Sequence, residues 1–174
     1  MKLDDDDFTL FGLPQRHALD RTQLDERWRQ LQGEVHPDRF AAEGGAAQRI
    51  AMQWAVRVNQ AYQRLKDPLR RAAYLCEQRG VAIDAERNTA MPKSFLVQQL
   101  QWREALAEAD DLAQVEQLDA EVAGTERALL ADVQRRLDEQ DDVTGAAADV
   151  RALMFVSRFR QDIERRLDSI DIHR

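Results

Sequence analysis

His36, Pro37, Asp38 and Arg39 stand side by side in a chain with three histidines and four prolines. An imidazole and a carboxylate two positions apart can serve as an acid–base pair, as metal ligands, or as directional hydrogen-bonding groups for a partner protein. The first use needs a nucleophile, a glycine-rich phosphate loop or a second catalytic group, and none accompanies them, so no catalytic residue is expected. For the second, His17, His36 and His173 match no ligand motif, so no metal and no cofactor are expected. The third use fits best. Pro37 fixes the backbone and stops a helix, His36 and Asp38 then flank a rigid corner, and Asp38 can make charge-assisted hydrogen bonds to a cationic group.

Two helices must position this corner. The first starts after Asp20, a good N-cap residue, and carries Leu24, Trp28, Leu31 and Val35 on one face. His36 to about Gly45 reads as a loop. A second helix over 46–66 carries Ile50, Trp54, Val58, Ala61 and Leu65 on one face. Helices of this length joined by a short loop pack antiparallel. Arg21, Arg27 and Arg29 on the first helix are either solvated or offer charge to an acidic partner surface. Met1 to Asp7 reads as frayed, with its aspartates solvated or near a helix N-terminus. Phe8 to Pro14 reads as a brief helical turn. Asp67-Pro68 opens a further helix, Leu69 to Arg79, closed by Gly80.

Residues 81–90 show no sustained period and read as a linker. Helical stretches follow at about 92–109, 112–140 and 146–170. The second buries Val115, Leu118, Val122, Leu129, Val133 and Leu137; the third buries Ala152, Val156, Phe159, Ile163, Leu167 and Ile170. The expected fold is all-α: a helical-hairpin domain over 1–76, a linker region over 77–90, and a three-helix bundle over 91–174. The first bundle helix has two faces. Phe95, Gln99, Trp102 and Leu106 share one, and Leu96, Val97, Leu100, Gln101, Glu104 and Glu108 share the other. The second face is either a protein-binding patch, a widened core stripe, or a surface packed on the first domain.

Composition narrows the partners. Through Cys76 the chain has 12 Lys/Arg against 11 Asp/Glu; from Glu77 onward it has 13 against 21. An acidic second half argues against a nucleic-acid binder. Cys76, the single cysteine, excludes an internal disulfide and reads as a small buried hydrophobe in a reducing compartment. No apolar run reaches the ~18 residues of a membrane span, and no targeting segment is seen, so a cytoplasmic location is expected.

His36-Pro37-Asp38 between two helices, followed by Asn59, Ala61, Tyr62, Leu65, Asp67, Pro68, Arg71 and Tyr74, resembles the J domain, which shares this tripeptide and this downstream spacing. The Phe8-Thr9-Leu10-Phe11-Gly12-Leu13-Pro14 opening and the Ser94–Leu100 stretch with Arg103-Glu104 resemble the HscB family, J-type co-chaperones of iron–sulfur cluster assembly. The resemblance covers nearly the whole chain and is weakest over 112–148. It implies a non-enzymatic adaptor that stimulates the ATPase of an HscA/DnaK-class chaperone and delivers the scaffold protein IscU to it. It implies chaperone contacts at His36, Pro37, Asp38 and Arg39 with Arg21, Arg27 and Arg29. It implies a scaffold patch of Leu96, Val97, Leu100, Gln101, Glu104 and Glu108, joined by Phe155. Arg39 stands where the family usually has Lys, Val97 where Met is familiar, and Gln101 where Glu is familiar. The alternative is a J-domain partner of a general DnaK-class chaperone with another client.

Overall fold

The computed structural model describes residues 1–172, so His173 and Arg174 lie outside the described residues. All regular elements among those residues are helical, and the chain forms two compact units, Met1–Leu75 and Cys76 onward. Among the described residues no helix is long and apolar enough to cross a membrane.

The first unit is built on two paired helices, α2 (Arg21–Val35) and α3 (Gly45–Lys66). Asp20 caps α2 by accepting from the Thr22 and Gln23 amides. Leu24, Leu31 and Val35 of α2 and Val58, Ala61 and Leu65 of α3 are buried. Trp28 and Trp54 are only half-buried. Trp28 stacks on Tyr62 at 4.4 Å between centroids, and the Tyr62 hydroxyl donates to Asp25 at 2.7 Å, so one α2–α3 contact is both apolar and polar. Ile50 is a correction: it is exposed, and Ala51 takes the inward place. At 100° per residue Ile50 lies about 80° off the stripe formed by Ala51, Val58, Ala61, Tyr62 and Leu65.

The acidic N-terminus is a correction in part: it is anchored rather than frayed, while the expected place of its aspartates near a helix N-terminus holds for Asp6 and Asp7. Asp6 caps the short helix α1 (Asp7–Phe11) through the Thr9 amide. Gly12, at φ +63°, closes α1 in the left-handed region that glycine adopts without strain. Asp7 is fully buried between Arg57, at 2.8 Å, and Arg64, at 3.2 Å. Its amide donates to the Tyr74 hydroxyl at 2.9 Å, while Arg57 also donates to the Leu3 and Asp5 carbonyls. The apolar side chains of α1, Phe8, Leu10 and Phe11, are thereby held in the core.

The helix α4 (Pro68–Gln78) follows a one-residue break. Asp67 accepts from the Leu69 amide at 2.9 Å, and Pro68 occupies a first-turn position where its missing N–H costs nothing. Arg71, buried, donates to the Leu65 carbonyl, an acceptor that the end of α3 leaves open, and to the His17 carbonyl in the segment ahead of α2. His17 is buried against the Pro68 carbonyl at 3.1 Å, a structural contact.

The second unit contains α5 (Lys93–Glu108), α6 (Leu112–Asp138) and α7 (Val143–Ile172). All six expected α6 side chains are buried. On α7, Ala152, Val156, Phe159 and Ile163 are buried, whereas Leu167 and Ile170 are half-buried. Asp142 caps α7 through the Gly145 amide, so the helix begins ahead of the expected Ala146. Phe95, Trp102, Phe155 and Phe159 form an aromatic cluster with centroid spacings of 5.7–5.9 Å. The Trp102 indole N–H reaches Glu121 of α6 at 3.2 Å. Residues 79–92 lack helix but are not loose. Arg151 of α7, buried, donates to the Ala82, Ile83 and Ala90 carbonyls, and Ile83 is buried too. Cys76 is fully buried, and burial pushes its thiol up to about 11, so it behaves as a small apolar residue.

Asp149 of α7 is buried with Arg136 Nε 3.0 Å away. Burial outweighs this ion pair and pushes the carboxyl up to about 6. A carboxyl raised on folding stabilises the fold fully below its ordinary value of 3.8, and that contribution is lost as pH rises through about 6. Asp149→Asn is expected to abolish this loss, so its stability relative to wild type should rise between pH 4 and pH 7.5, by at most about 3 kcal/mol. Denaturant unfolding at pH 4, 6 and 7.5 checks it: the variant should gain on the wild type as pH rises.

Candidate functional site

Two separate surfaces carry the residues singled out in the sequence, one on each unit. The first lies at the connecting end of the α2–α3 hairpin, where the chain turns from one helix to the other. Pro37 disfavours helical backbone in the residue before it, and His36 accordingly leaves the helix at φ −61°, ψ 128°. The expected loop is more ordered than that word implies: Pro37–Glu43 winds into a 3-10 helix. His36 caps it, its Nδ1 accepting from the Asp38 amide at 3.3 Å, a bond that needs the neutral ring with its proton on Nε2. The Arg39 amide donates to the His36 carbonyl at 3.0 Å. The Arg39 guanidinium reaches back to the Gly33 carbonyl at 2.9 Å, covering an acceptor at the end of α2.

The Asp38 side chain is left 92% exposed, and that of His36 59%. The corner therefore spends its backbone and its arginine on its own shape and turns the carboxylate to solvent. Among the described residues no Arg or Lys pairs with Asp38; the one basic side chain within 4.0 Å is the His36 ring, at 3.6 Å.

The three α2 arginines differ. Arg29 is exposed. Arg21 is exposed but tethered, 2.8 Å from Asp25 and 3.3 Å from the Tyr62 hydroxyl. The hydrogen bonds to Asp25 and Tyr62 push the Arg21 guanidinium up, and the same arginine holds the Asp25 carboxyl below its ordinary value. Arg27 is half-buried. It donates to the Phe11 carbonyl at 2.9 Å and to Gln30 at 2.7 Å, and it stands against Gly12, so it ties α1 to α2. Its helix position alone gave no sign of that use.

The second surface is the outer face of α5. Leu96, Val97 and Leu100 are 41%, 59% and 60% exposed, which removes the reading as a widened core stripe. Gln101, Glu104 and Glu108 are exposed beside them. The opposite face is as expected, with Phe95 and Trp102 buried and Gln99 and Leu106 half-buried. Phe155 of α7 is half-buried at the edge of the aromatic cluster, 5.7 Å from Phe95. Arg103, which the helical wheel did not single out, lays its guanidinium over the Phe155 ring at 5.1 Å. That contact joins residues 52 positions apart and leaves no local trace in the sequence.

A family model described as the HSCB C-terminal oligomerisation domain matches residues 91–164. Among curated relatives, the co-chaperone protein HscB homolog of Burkholderia mallei is 49% identical, covering 98% of this chain and 99% of its own. That of Bordetella petrii is 48% identical over 91% of this chain and 94% of its own. Among solved structures, chaperone HscB from Vibrio cholerae aligns with a TM-score of 0.80 at 37% identity, covering 95% of this chain and 99% of its own. Human co-chaperone protein HscB aligns with a TM-score of 0.87 at 27% identity, covering 94% and 83%. A hairpin broken by His-Pro-Asp on one unit and a three-helix bundle on the other make this a J-domain co-chaperone. The chain belongs to the HscB family of co-chaperones.

Because Asp38 makes no side-chain bond that the fold uses, Asp38→Ala is expected to change stability by less than about 0.5 kcal/mol. A urea unfolding curve superimposable on the wild type confirms it; a clear shift in midpoint contradicts it.

Proposed function

We propose that this protein activates the ATPase of an HscA/DnaK-class chaperone and brings to it an IscU-type iron–sulfur scaffold protein, promoting cluster assembly and transfer in the cytoplasm. The observation that carries this reading is the exposed Asp38 carboxylate on a corner stiffened by Pro37, the His36 cap and the Arg39 bond to Gly33. Such a group costs little to order on binding and can take a cationic residue of the chaperone in a charge-assisted bond. Arg21 and Arg29 supply exposed positive charge on the same hairpin, favouring an acidic chaperone surface and a single docking direction. Arg27 supports the hairpin from within and contributes through its shape.

The chain supplies no reacting group. The corner binds one conformation of the chaperone better than the other, and the chaperone hydrolyses its own ATP. Meanwhile Leu96, Val97, Leu100 and Phe155 offer the scaffold an apolar centre, and Gln101, Glu104 and Glu108 a polar, acidic flank. A buried apolar centre with charges on its rim is the anatomy of a transient protein interface.

The two surfaces should fail independently. His36→Gln is expected to reduce ATPase stimulation at least about tenfold by loosening the corner, while scaffold affinity stays at the wild-type value. Normal stimulation by that variant would overturn the assignment of the corner. Alanine at Leu96, Leu100 and Phe155 together should weaken scaffold binding at least about 100-fold and leave stimulation without scaffold intact. Calorimetry showing unchanged scaffold affinity would remove the patch.

A further inference from the structure

The exposed face of α5 is charged differently along its two edges. Glu108 lies on the edge facing α6, in a shallow cleft with Gln114, Gln117 and Glu121. The edge facing α7 is basic. There a groove of about 640 Å³ runs between α5 and α7. Phe155 and Phe159, stacked at 5.9 Å, form its apolar wall. Arg103, Arg158 and Arg166 line it, with Asp162 as the one acid among its lining residues. Asp162 is already paired with Arg165 at 3.1 Å.

The three arginines are held to different degrees. Arg166 donates to the Ala109 carbonyl, the C-cap of α5, at 2.9 Å, so its charge is fixed in place at the end of the groove. Arg103 is laid over the Phe155 ring. Arg158 is exposed and pairs with no carboxylate among the described residues. A concentration of positive charge beside an apolar wall, in the acidic half of an acidic chain, leaves an unanswered charge next to the patch proposed for the scaffold.

We propose that this groove receives an acidic side chain of the scaffold protein and thereby fixes which way round the scaffold lies on Leu96, Leu100 and Phe155. The inference rests on the scaffold reading of that patch. A single carboxylate flanked by apolar residues fits the site, because Phe155 and Phe159 exclude water on one side and strengthen the attraction on the other. A polyanion such as a nucleic acid fits badly, since Glu104 and Glu108 repel it a helix-width away. The result is a bipolar surface: acidic side chains of the scaffold meet the α7 edge and basic ones meet Glu104 and Glu108. The reversed orientation brings like charges together.

Arg158→Glu tests this on the full chain, since Arg158 is exposed and bonds to nothing the fold uses. Its affinity for an IscU-type scaffold is measured by calorimetry at low salt and at about 0.5 M salt, where rim charges are screened. The expected result is an affinity about tenfold lower at low salt, a smaller difference at high salt, and restoration by a scaffold variant with one surface acid changed to Lys. Affinity within about twofold of wild type at low salt overturns the groove assignment while Leu100→Ala still weakens binding. If Leu100→Ala also binds normally, the scaffold patch itself is wrong, and the groove reading falls with it.

Discussion

A proline at the end of a helix is the constraint on which the rest of the first unit depends. Pro37 obliges His36 to leave helical geometry, so α2 stops with carbonyls still open. The Arg39 side chain covers one of them at Gly33, and the His36 ring takes the Asp38 amide. Each repair uses a neighbour in sequence, so the corner is rigid without help from elsewhere. What it does not use is the Asp38 carboxylate, and that unused group is what a partner can bind. A rigid corner is useful only if the two helices behind it hold still. That is the work of the buried Val58, Ala61 and Leu65, the Trp28–Tyr62 stack and the Asp25–Tyr62 bond.

The residues downstream of the corner belong to the same support. Asp67 caps α4, Pro68 starts it, Arg71 closes the end of α3, and Tyr74 receives the Asp7 amide. Asp7 in turn is locked between Arg57 and Arg64. Removing both arginines would leave the Asp7 charge buried and uncompensated, which is far costlier than losing a surface pair. The second unit solves a different problem. It presents an apolar and acidic face on α5, and it fixes that helix with the aromatic cluster and the Trp102–Glu121 bond. A patch on a fixed helix keeps its shape when the partner leaves, which limits the ordering cost of the next encounter.

Much of this was legible in the sequence where a period ran long. The six α6 side chains fell on one stripe because 27 residues of uninterrupted helix leave no ambiguity about its inward face. The corner was legible because proline acts locally. The two faces of α5 were legible as a pattern, though a helical wheel could not say whether the second was covered. Most of what the sequence hid has one cause. Asp7, Arg27 and Arg151 are charged residues turned inward by partners about 16 to 69 positions away, and charge by itself predicts exposure. The same distance hid Arg103 over Phe155. Ile50 failed for a smaller reason: it lies about 80° from the centre of the buried stripe, and Ala51 takes the inward place.

The central claim is that one chain couples two partners, a chaperone through the Asp38 corner and a scaffold through α5. The most direct measurement is the steady-state ATPase rate of the HscA-class chaperone against increasing amounts of the wild-type protein, with and without the IscU-type scaffold. The account predicts a saturable rise from the protein alone and a rise well beyond the sum of the separate effects when the scaffold is present. A rate that the protein leaves unchanged in both conditions, or that the scaffold does not alter further, would contradict it.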